Sequence, residues 1–374
     1  MQDKTLKINR LAKQFLLFFT FTAFFLTSKA STNSAELSAS PETETVVGES
    51  THANKHGEEA FDIAHLIFHH IKDAYEWHFA TIGHTHISIP LPIILYSSDR
   101  GIEIFSSGNF HVEHGSHRTN SYKGYYLNEE GKLVSEEGRS FIDLSITKNV
   151  ASLFLSVIIL FAVFFSISRA YTKRKGQAPK GIQSFFEPII LFIRDEIAKP
   201  NIGKNYERYL PYLLTVFFFI WFNNLLGLMP GGANLTGNIA VTMMLALCTL
   251  LITVFSGNKH YWMHILWTPG IPMWLRPIML PVELVGIVSK PFSLMIRLFA
   301  NITAGHVIIL SLLGLTFIFK NPFVGVGAAL FSTIMSLLEL FVAILQAYVF
   351  TLLSAMYFGQ AVEDHGHGHE EGHH

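Results

Sequence analysis

The fold class this sequence predicts is an all-α polytopic membrane protein. It has five membrane crossings, one interfacial amphipathic helix and, ahead of them, an N-terminal extracytoplasmic extension of mixed structure. Three observations predict it. Half of the 374 residues are hydrophobic and only 15% are charged, too apolar for an ordinary soluble enzyme. Uncharged runs of about 20 residues, the length that crosses a hydrocarbon core, recur from residue 149 onwards. Basic residues gather at the ends of these runs that a consistent threading leaves in the cytoplasm. A formal net charge of −1 implies no general attraction to nucleic acid. The single cysteine, Cys248, lies in an apolar run, which excludes an intrachain disulfide and a multi-cysteine metal site and reads as a buried structural thiol.

The first element, residues 1–30, reads as a signal peptide. Lys4, Lys7, Arg10 and Lys13 precede the apolar stretch Phe15 to Phe25, and the small residues Ser28 and Ala30 follow where a signal peptidase would cut. Cleavage after Ala30 is expected, an uncleaved anchor being the rival. Either way the chain continues outside the cytoplasm. Residues 31–148 form a polar, His-rich extracytoplasmic region. Ser31 to Thr51 has the composition of a disordered linker. Phe61 to Ala80 has helical character. Ile87 to Tyr96 and Gly101 to Ser106 read as strands, interrupted by Pro90 and Pro92.

The membrane region spans 149–358. Asn149 to Ser168 is the first crossing, and Arg169, Lys173, Arg174, Lys175 and Lys180 mark its inner end. Gly181 to Lys199 reads as the interfacial helix. Phe185, Ile189, Phe192 and Ile193 form its apolar stripe, Glu187, Arg194, Asp195 and Glu196 lie off it, and Pro188 is expected to bend it. Tyr209 to Met229 and Gly237 to Phe255 are the second and third crossings. His260 to Met279, with Trp262, Trp267, Trp274 and Arg276, suits an interfacial cytoplasmic loop. Val282 to Phe317 and Pro322 to Phe358 each exceed a perpendicular crossing, so a strongly tilted antiparallel hairpin is expected, turning outside at Lys320-Asn321-Pro322. Five crossings leave the His-rich tail, 359–374, in the cytoplasm.

Ionisable residues inside spans are costly, and their default reading is functional. Here they concentrate on the last hairpin: Glu283, Lys290, Arg297, His306 and Glu339, with Gln346 as a strong hydrogen-bonding group. Glu283, Lys290 and Arg297 are successive steps of seven, close to one helical face, and Asn301 extends it. His306 lies nine beyond Arg297, on roughly the opposite face. Glu339 and Gln346 are again seven apart. In an antiparallel hairpin, residues at one depth have a nearly constant index sum. The sum is 645 for His306 with Glu339 and 643 for Arg297 with Gln346, both centred near Pro322. His and Glu titrate and can pass protons, whereas arginine stays charged. The pattern reads as an outer proton site, a fixed positive gate and an inner carboxylate, Glu283. The plainer readings are snorkelling for Lys290 and Glu283 and a satisfied packing histidine for His306.

At these residues the chain resembles a known family. Ser289-Lys290-Pro291-Phe292-Ser293-Leu294-Met295-Ile296-Arg297-Leu298-Phe299-Ala300-Asn301, then Ala304-Gly305-His306, and Leu345-Gln346-Ala347-Tyr348-Val349-Phe350 are similar to the arginine-helix and last-helix signatures of subunit a of the bacterial F-type ATP synthase membrane (Fo) sector. Phe222-Asn223-Asn224-Leu225-Leu226-Gly227-Leu228-Met229-Pro230 is similar to the end of that family's second span. The resemblance covers about 149–358. It implies a proton-translocating stator subunit in a bacterial inner membrane, not an enzyme on its own, working without a cofactor. Its partners would be a ring of small c-type hairpin subunits, b-type peripheral stalk subunits, membrane lipid and, indirectly, the soluble ATPase head. Arg297 would face the ring carboxylate and block direct leakage. Gln346 would support Arg297, Asn301 would line the ring-facing surface, His306 and Glu339 the outer half-channel, and Glu283 the inner one. Many relatives carry the acid where His306 stands and the histidine where Glu339 stands. Here the pair is exchanged, and Gly227 replaces an acidic residue found in some relatives.

Other function classes fit less well. An independent secondary ion transporter usually shows internal repeats or broken helices, and neither is evident in the sequence. A haem anchor needs facing axial ligands. An intramembrane protease would need motifs such as HExxH or GxSxG, which are absent. Metal binding by His365-Gly366-His367-Gly368-His369 is the remaining rival to a solvated tail.

Overall fold

The computed structural model describes residues 73–363, apart from 83–84, 111–118, 129–130, 174–176, 230–231, 268–273, 275 and 320. The predicted signal peptide, the linker, residues 61–72 of the expected helix and the His-rich tail from 364 lie outside the described residues. The described residues divide into two compact units, one holding 73–151 and 306–336, the other 152–305 and 337–363.

The described part of residues 31–148 is built from short strands. β1 (Glu76–Ile82) pairs antiparallel with β2 (Thr85–Pro90), with a bulge between His78 and Ala80. This corrects the expected helix over Phe61 to Ala80 at its C-terminal end. Trp77, Phe79 and Thr81 alternate with Glu76, His78 and Ala80, and this period of two, set in β-favouring residue types, outweighs the helical pattern before it. β3 (Pro92–Ser97) and β4 (Gly101–Ser106) fall where the sequence placed strands, and Pro90-Leu91-Pro92 separates β2 from β3 as expected. Gly101 closes the β3–β4 turn at φ 71°, a conformation that favours glycine. β5 (Tyr125–Leu127) and β6 (Leu133–Ser135) form a second hairpin, and β7 (Phe141–Asp143) adds antiparallel to β3, giving the order β4-β3-β7.

One face of that sheet is a core. Ile93, Leu95 and Phe105 pack with Phe110, Tyr125 and Leu133. Beneath it, Asp143 is buried and accepts hydrogen bonds from the Tyr75 hydroxyl (2.5 Å) and from the Ser145 amide (2.9 Å). Burial, and next the Asp143 charge, push the Tyr75 phenol well above its ordinary range, so it stays a donor. The sheet is tied to the first membrane helix. Lys148 N–H donates to the Ala74 carbonyl (2.8 Å), and Asn149 N–H donates to Asp73 Oδ1 (3.0 Å).

The helices follow the expected order. α1 (Lys148–Lys173) runs past the predicted end at Ser168, through Arg169, whose guanidinium lies 4.6 Å from the Phe165 ring centroid. α2 (Ile182–Phe192) continues through Pro188. A π-helical segment, Ile193–Ala198, follows it, and then the single turn α3 (Lys199–Ile202). The buried stripe here is Gln183, Phe186, Ile193 and Ile197, whereas Phe185 and Phe192, assigned to the apolar stripe from the sequence, are exposed. A helix in a bilayer has two apolar sides, one for protein and one for lipid, and periodicity alone does not tell them apart. Phe186 packs among Phe164, Phe218 and Trp221 in tilted or edge-on contacts and stacks on Phe222. α4 (Tyr206–Leu228) and α5 (Ile239–Ser256) are the next spans, and α6 (Lys259–Leu266) is a short helix in the Trp-rich loop. The last two helices are long: α7 (Arg276–Phe319, 44 residues) and α8 (Pro322–Val362, 41 residues). Among the described residues five helical stretches are long and apolar enough to cross a membrane, the number the sequence predicts, and the second of them, Ile182–Leu228, takes in the expected interfacial helix together with the second crossing.

Candidate functional site

α7 presents a stripe of exposed residues: Ser293, Ile296, Arg297, Ala300, Asn301 and Ala304. Their spacing of three and four marks one helical face. The opposite face, Leu294, Met295, Leu298 and Ile302, is buried in the protein. The helix is therefore fixed by its apolar back, and Arg297 is held outward. Among the described residues no carboxylate forms an ion pair with it.

α8 does the reverse with its polar groups. Glu339 (5% exposed) and Gln346 (6%) fall on its buried face with Ala343, Ala347 and Phe350, while Leu337, Leu338, Phe341, Ile344 and Leu345 are outside. The seven-residue step places both polar groups on one side, as read from the sequence. The structure does not join Gln346 to Arg297 by a hydrogen bond, because one points into the protein and the other away from it.

Glu339 meets α7 at Gly305. A Cβ built on Gly305 would lie 3.2 Å from Glu339 Cδ and Oε1. Glycine there leaves room for the carboxyl group, and Glu339 Oε2 is buried with no hydrogen-bond partner among the described residues. Gly305 with Glu339 sums to 644, within one of both sums predicted for the hairpin. His306 is the next residue of α7, half-buried, and belongs to the other compact unit.

Toward the N-terminal end of α7, Lys290 Nζ donates to Gln360 Oε1 at 2.9 Å and lies 5.5 Å from the Tyr357 ring centroid. Lys290 thus has a polar and an aromatic partner on the last helix. Tyr357 is also within electrostatic reach of Arg297. Glu283 is half-buried and within electrostatic reach of Tyr261 in α6. Burial first, then Glu283, raises the Tyr261 phenol above its ordinary value.

Two partners escaped the sequence reading, and the contacts of a third residue, Asn224, did too. Tyr357 and Gln360 lie beyond the quoted last-helix motif, and the index sums that hold for the outer part of the hairpin would have matched Lys290 with residues 353–355 instead. Asn224 donates to the Ala343 carbonyl (3.1 Å) and accepts from Thr236 Oγ1 (2.5 Å), pinning α4 to α8 one turn from Gln346. The sequence reading quoted Asn224 only within the second-span motif and gave it no partner. Among the described residues no three His, Cys, Asp or Glu side chains gather closely enough to hold a metal ion.

Comparisons with known proteins bear on the same segment. The sequence profile of the ATP synthase A chain family matches residues 150–359, and that of a domain of unknown function matches residues 66–153. The chain is 46% identical over 242 residues to ATP synthase subunit a of Chloroherpeton thalassium, covering 62% of this chain and 72% of that one. It is 50% identical over 237 residues to ATP synthase subunit a 2 of Chlorobaculum tepidum, covering 61% and 67%. With ATP synthase subunit a of Myxococcus xanthus it shares 45% identity over 259 residues, covering 66% and 84%. A multi-pass helical membrane region whose arginine helix, last helix and second-span end all fall inside the matched segment leads to one conclusion: the chain belongs to the ATP synthase A chain family, the non-catalytic subunit a of the F-type enzyme's membrane sector.

Proposed function

We propose that this subunit conducts protons to and from a rotating ring of small c-type hairpin subunits through two half-channels separated by Arg297. The observation that carries the reading is the outward placement of Arg297 in the middle of a 44-residue membrane helix. A permanent cation on a membrane-embedded surface is costly unless a partner supplies the counter-charge. A carboxylate passing on the ring would do so, and its pairing with Arg297 would favour the ionised form as it crosses between half-channels. Ser293, Ala300 and Ala304 beside Arg297 are small, which permits close approach of a neighbouring helix.

In this reading Glu339 and His306 line the outer half-channel and Glu283 the inner one, Asn301 lies on the ring-facing surface, and Gln346 orders the helix opposite Arg297. Burial of Glu339 against Gly305 supports a proton site shielded from bulk water. The extracytoplasmic region would be periplasmic, the C-terminus cytoplasmic, and the host membrane the bacterial inner membrane. Peripheral stalk b-type subunits would hold the subunit as a stator, linking it indirectly to the soluble ATPase head.

The experiment is ATP-driven acidification of inverted vesicles carrying Arg297→Ala. Assembly is checked by co-purification of the ring and the head. Loss of pumping in an assembled complex is expected. Normal pumping there would move the gate to another residue and end this assignment.

A further inference from the structure

The three-stranded sheet has a second face, which the core does not use. Cross-strand pairing sets its rows: Pro92 opposite Ser106, Ile94 opposite Ile104, and Tyr96 opposite both Ile102 and Ile142. The β7 edge continues the face through Leu144 and Ile146, whose amides donate to the carbonyls of Ile94 (2.9 Å) and Pro92 (3.2 Å). Ile102 (68% exposed), Ile104 (63%), Tyr96, Ile142 and Leu144 all lie open. None of these nine positions carries a charge. A contiguous apolar face of this kind on a region outside the hydrocarbon core marks a surface that something covers.

We infer that this face rests on the outer leaflet of the membrane, with lipid as its occupant. Continuity with the membrane helix argues for it. Ile146 is still hydrogen-bonded into the sheet, and α1 begins two residues later at Lys148. The junction is fixed on its other side by the bonds from Lys148 to Ala74 and from Asn149 to Asp73. No slack linker separates sheet from span. Four residues from Leu144 to Lys148 extend at most about 14 Å, and the headgroup layer is itself roughly 5–8 Å deep on each side. The β7 edge of the face is therefore held at the headgroup layer. The same compact unit also contains residues 306–336, the outer ends of the two long membrane helices.

Composition argues the same way. Protein interfaces are enriched in aromatics, Met and Arg inside a polar rim. This face is mostly isoleucine and leucine, with one tyrosine, a residue favoured at the lipid–water boundary.

The test uses the whole ATP synthase complex in proteoliposomes on a Cys248→Ser background. A small environment-sensitive fluorophore is attached at Ile104→Cys or, as a water-exposed reference, at Glu136→Cys. Retained ATP-driven pumping shows that the labelled complexes are intact. Phospholipids spin-labelled near the headgroup and aqueous iodide are the two quenchers. The expected result is blue-shifted emission at position 104, quenched several-fold more by the lipid label than at 136 and less by iodide. Equal iodide quenching at both positions would show an open, wet face and overturn the inference. Protection from both quenchers would overturn it too, in favour of a protein covering. Neither outcome touches the role of Arg297, which the pumping assay reads separately.

Discussion

At the scale of single residues, the site separates its charges by direction. Arg297 points out of the protein, Glu339 and Gln346 point in, and Gly305 makes the space in which the Glu339 carboxyl lies. Gly305→Val should therefore displace that carboxyl and slow ATP-driven proton flux strongly, with Gly305→Ala milder, because a Cβ at 3.2 Å asks the flexible end of Glu339 to move by only a few tenths of an ångström. Equal pumping rates in Gly305→Val and the unaltered complex would remove Glu339 from the path. The exchanged acid–imidazole pair gives a second prediction. Glu339→Gln should slow flux, while Glu339→His combined with His306→Glu should retain much of it. A double variant no faster than Glu339→Gln would show that the two do not act as a pair. The sequence made Glu283, Lys290, Arg297, Glu339 and Gln346 legible because buried charge is rare in membranes and steps of seven are easy to see. It left Tyr357 and Gln360 unread and gave Asn224 no partner, since a tyrosine or amide near a span end carries no such penalty. It also gave depth without direction: equal index sums placed Arg297 and Gln346 at one level and could not show that one faces away.

Among the elements, the long spans were legible because a 20-residue apolar run has few other uses. Short β-strands were legible only where proline and glycine punctuated them, and β1 was misread because its helix-like lead-in runs straight into it. Close approaches between elements are invisible to pattern. Gly359 in α8 is one: a Cβ built on it would overlap the Asn201 carbonyl oxygen near the end of α3. A methyl group there would collide with backbone, so Gly359→Ala should push the two helices apart and cost about 1–3 kcal/mol, the usual range for overpacking. Thermal unfolding of the purified complex, or the yield of assembled complex, would register it; no change in either would mean that this contact yields easily. In the β-region, Tyr75→Phe removes a donor from buried Asp143 and should destabilise the domain by about 1–3 kcal/mol. The sign with pH follows from linkage. The folded Tyr75 phenol is raised above its ordinary value of 10.0. Above that pH the unfolded chain releases the proton and the folded chain keeps it, so stability falls as pH rises. Limited proteolysis of the intact subunit should thus show resistance that is level up to about pH 10 and declines beyond it, with a shallower decline in Tyr75→Phe. Tyr125, raised mainly by burial, keeps some of the slope.

For the whole molecule, the decisive quantity is the parity of the crossings. Five spans put the β-region and the end of α8 on opposite sides of the membrane, and four or six would put them together. The half-channel reading depends on that parity, because it assigns Glu339 to the outer access and Glu283 to the inner one. Charge supports the odd count. Arg169, Lys173 and Lys180 follow the first span, Lys259 follows the third, and the β-region lies before the first. The count was legible in the sequence, whereas the strand order β4-β3-β7 was not, because register and pairing depend on contacts between segments that composition does not specify. The prediction at this scale is one of sidedness. On a Cys248→Ser background, a membrane-impermeant thiol reagent added to cells with a permeable outer layer should label Glu136→Cys, in an exposed turn of the β-region. It should label Glu363→Cys, exposed just after α8, only once the inner membrane is opened. Labelling of both from outside would make the number of crossings even and reverse the direction of the last hairpin. Glu339 and Glu283 would then trade sides, and the outer and inner half-channels would have to be assigned anew.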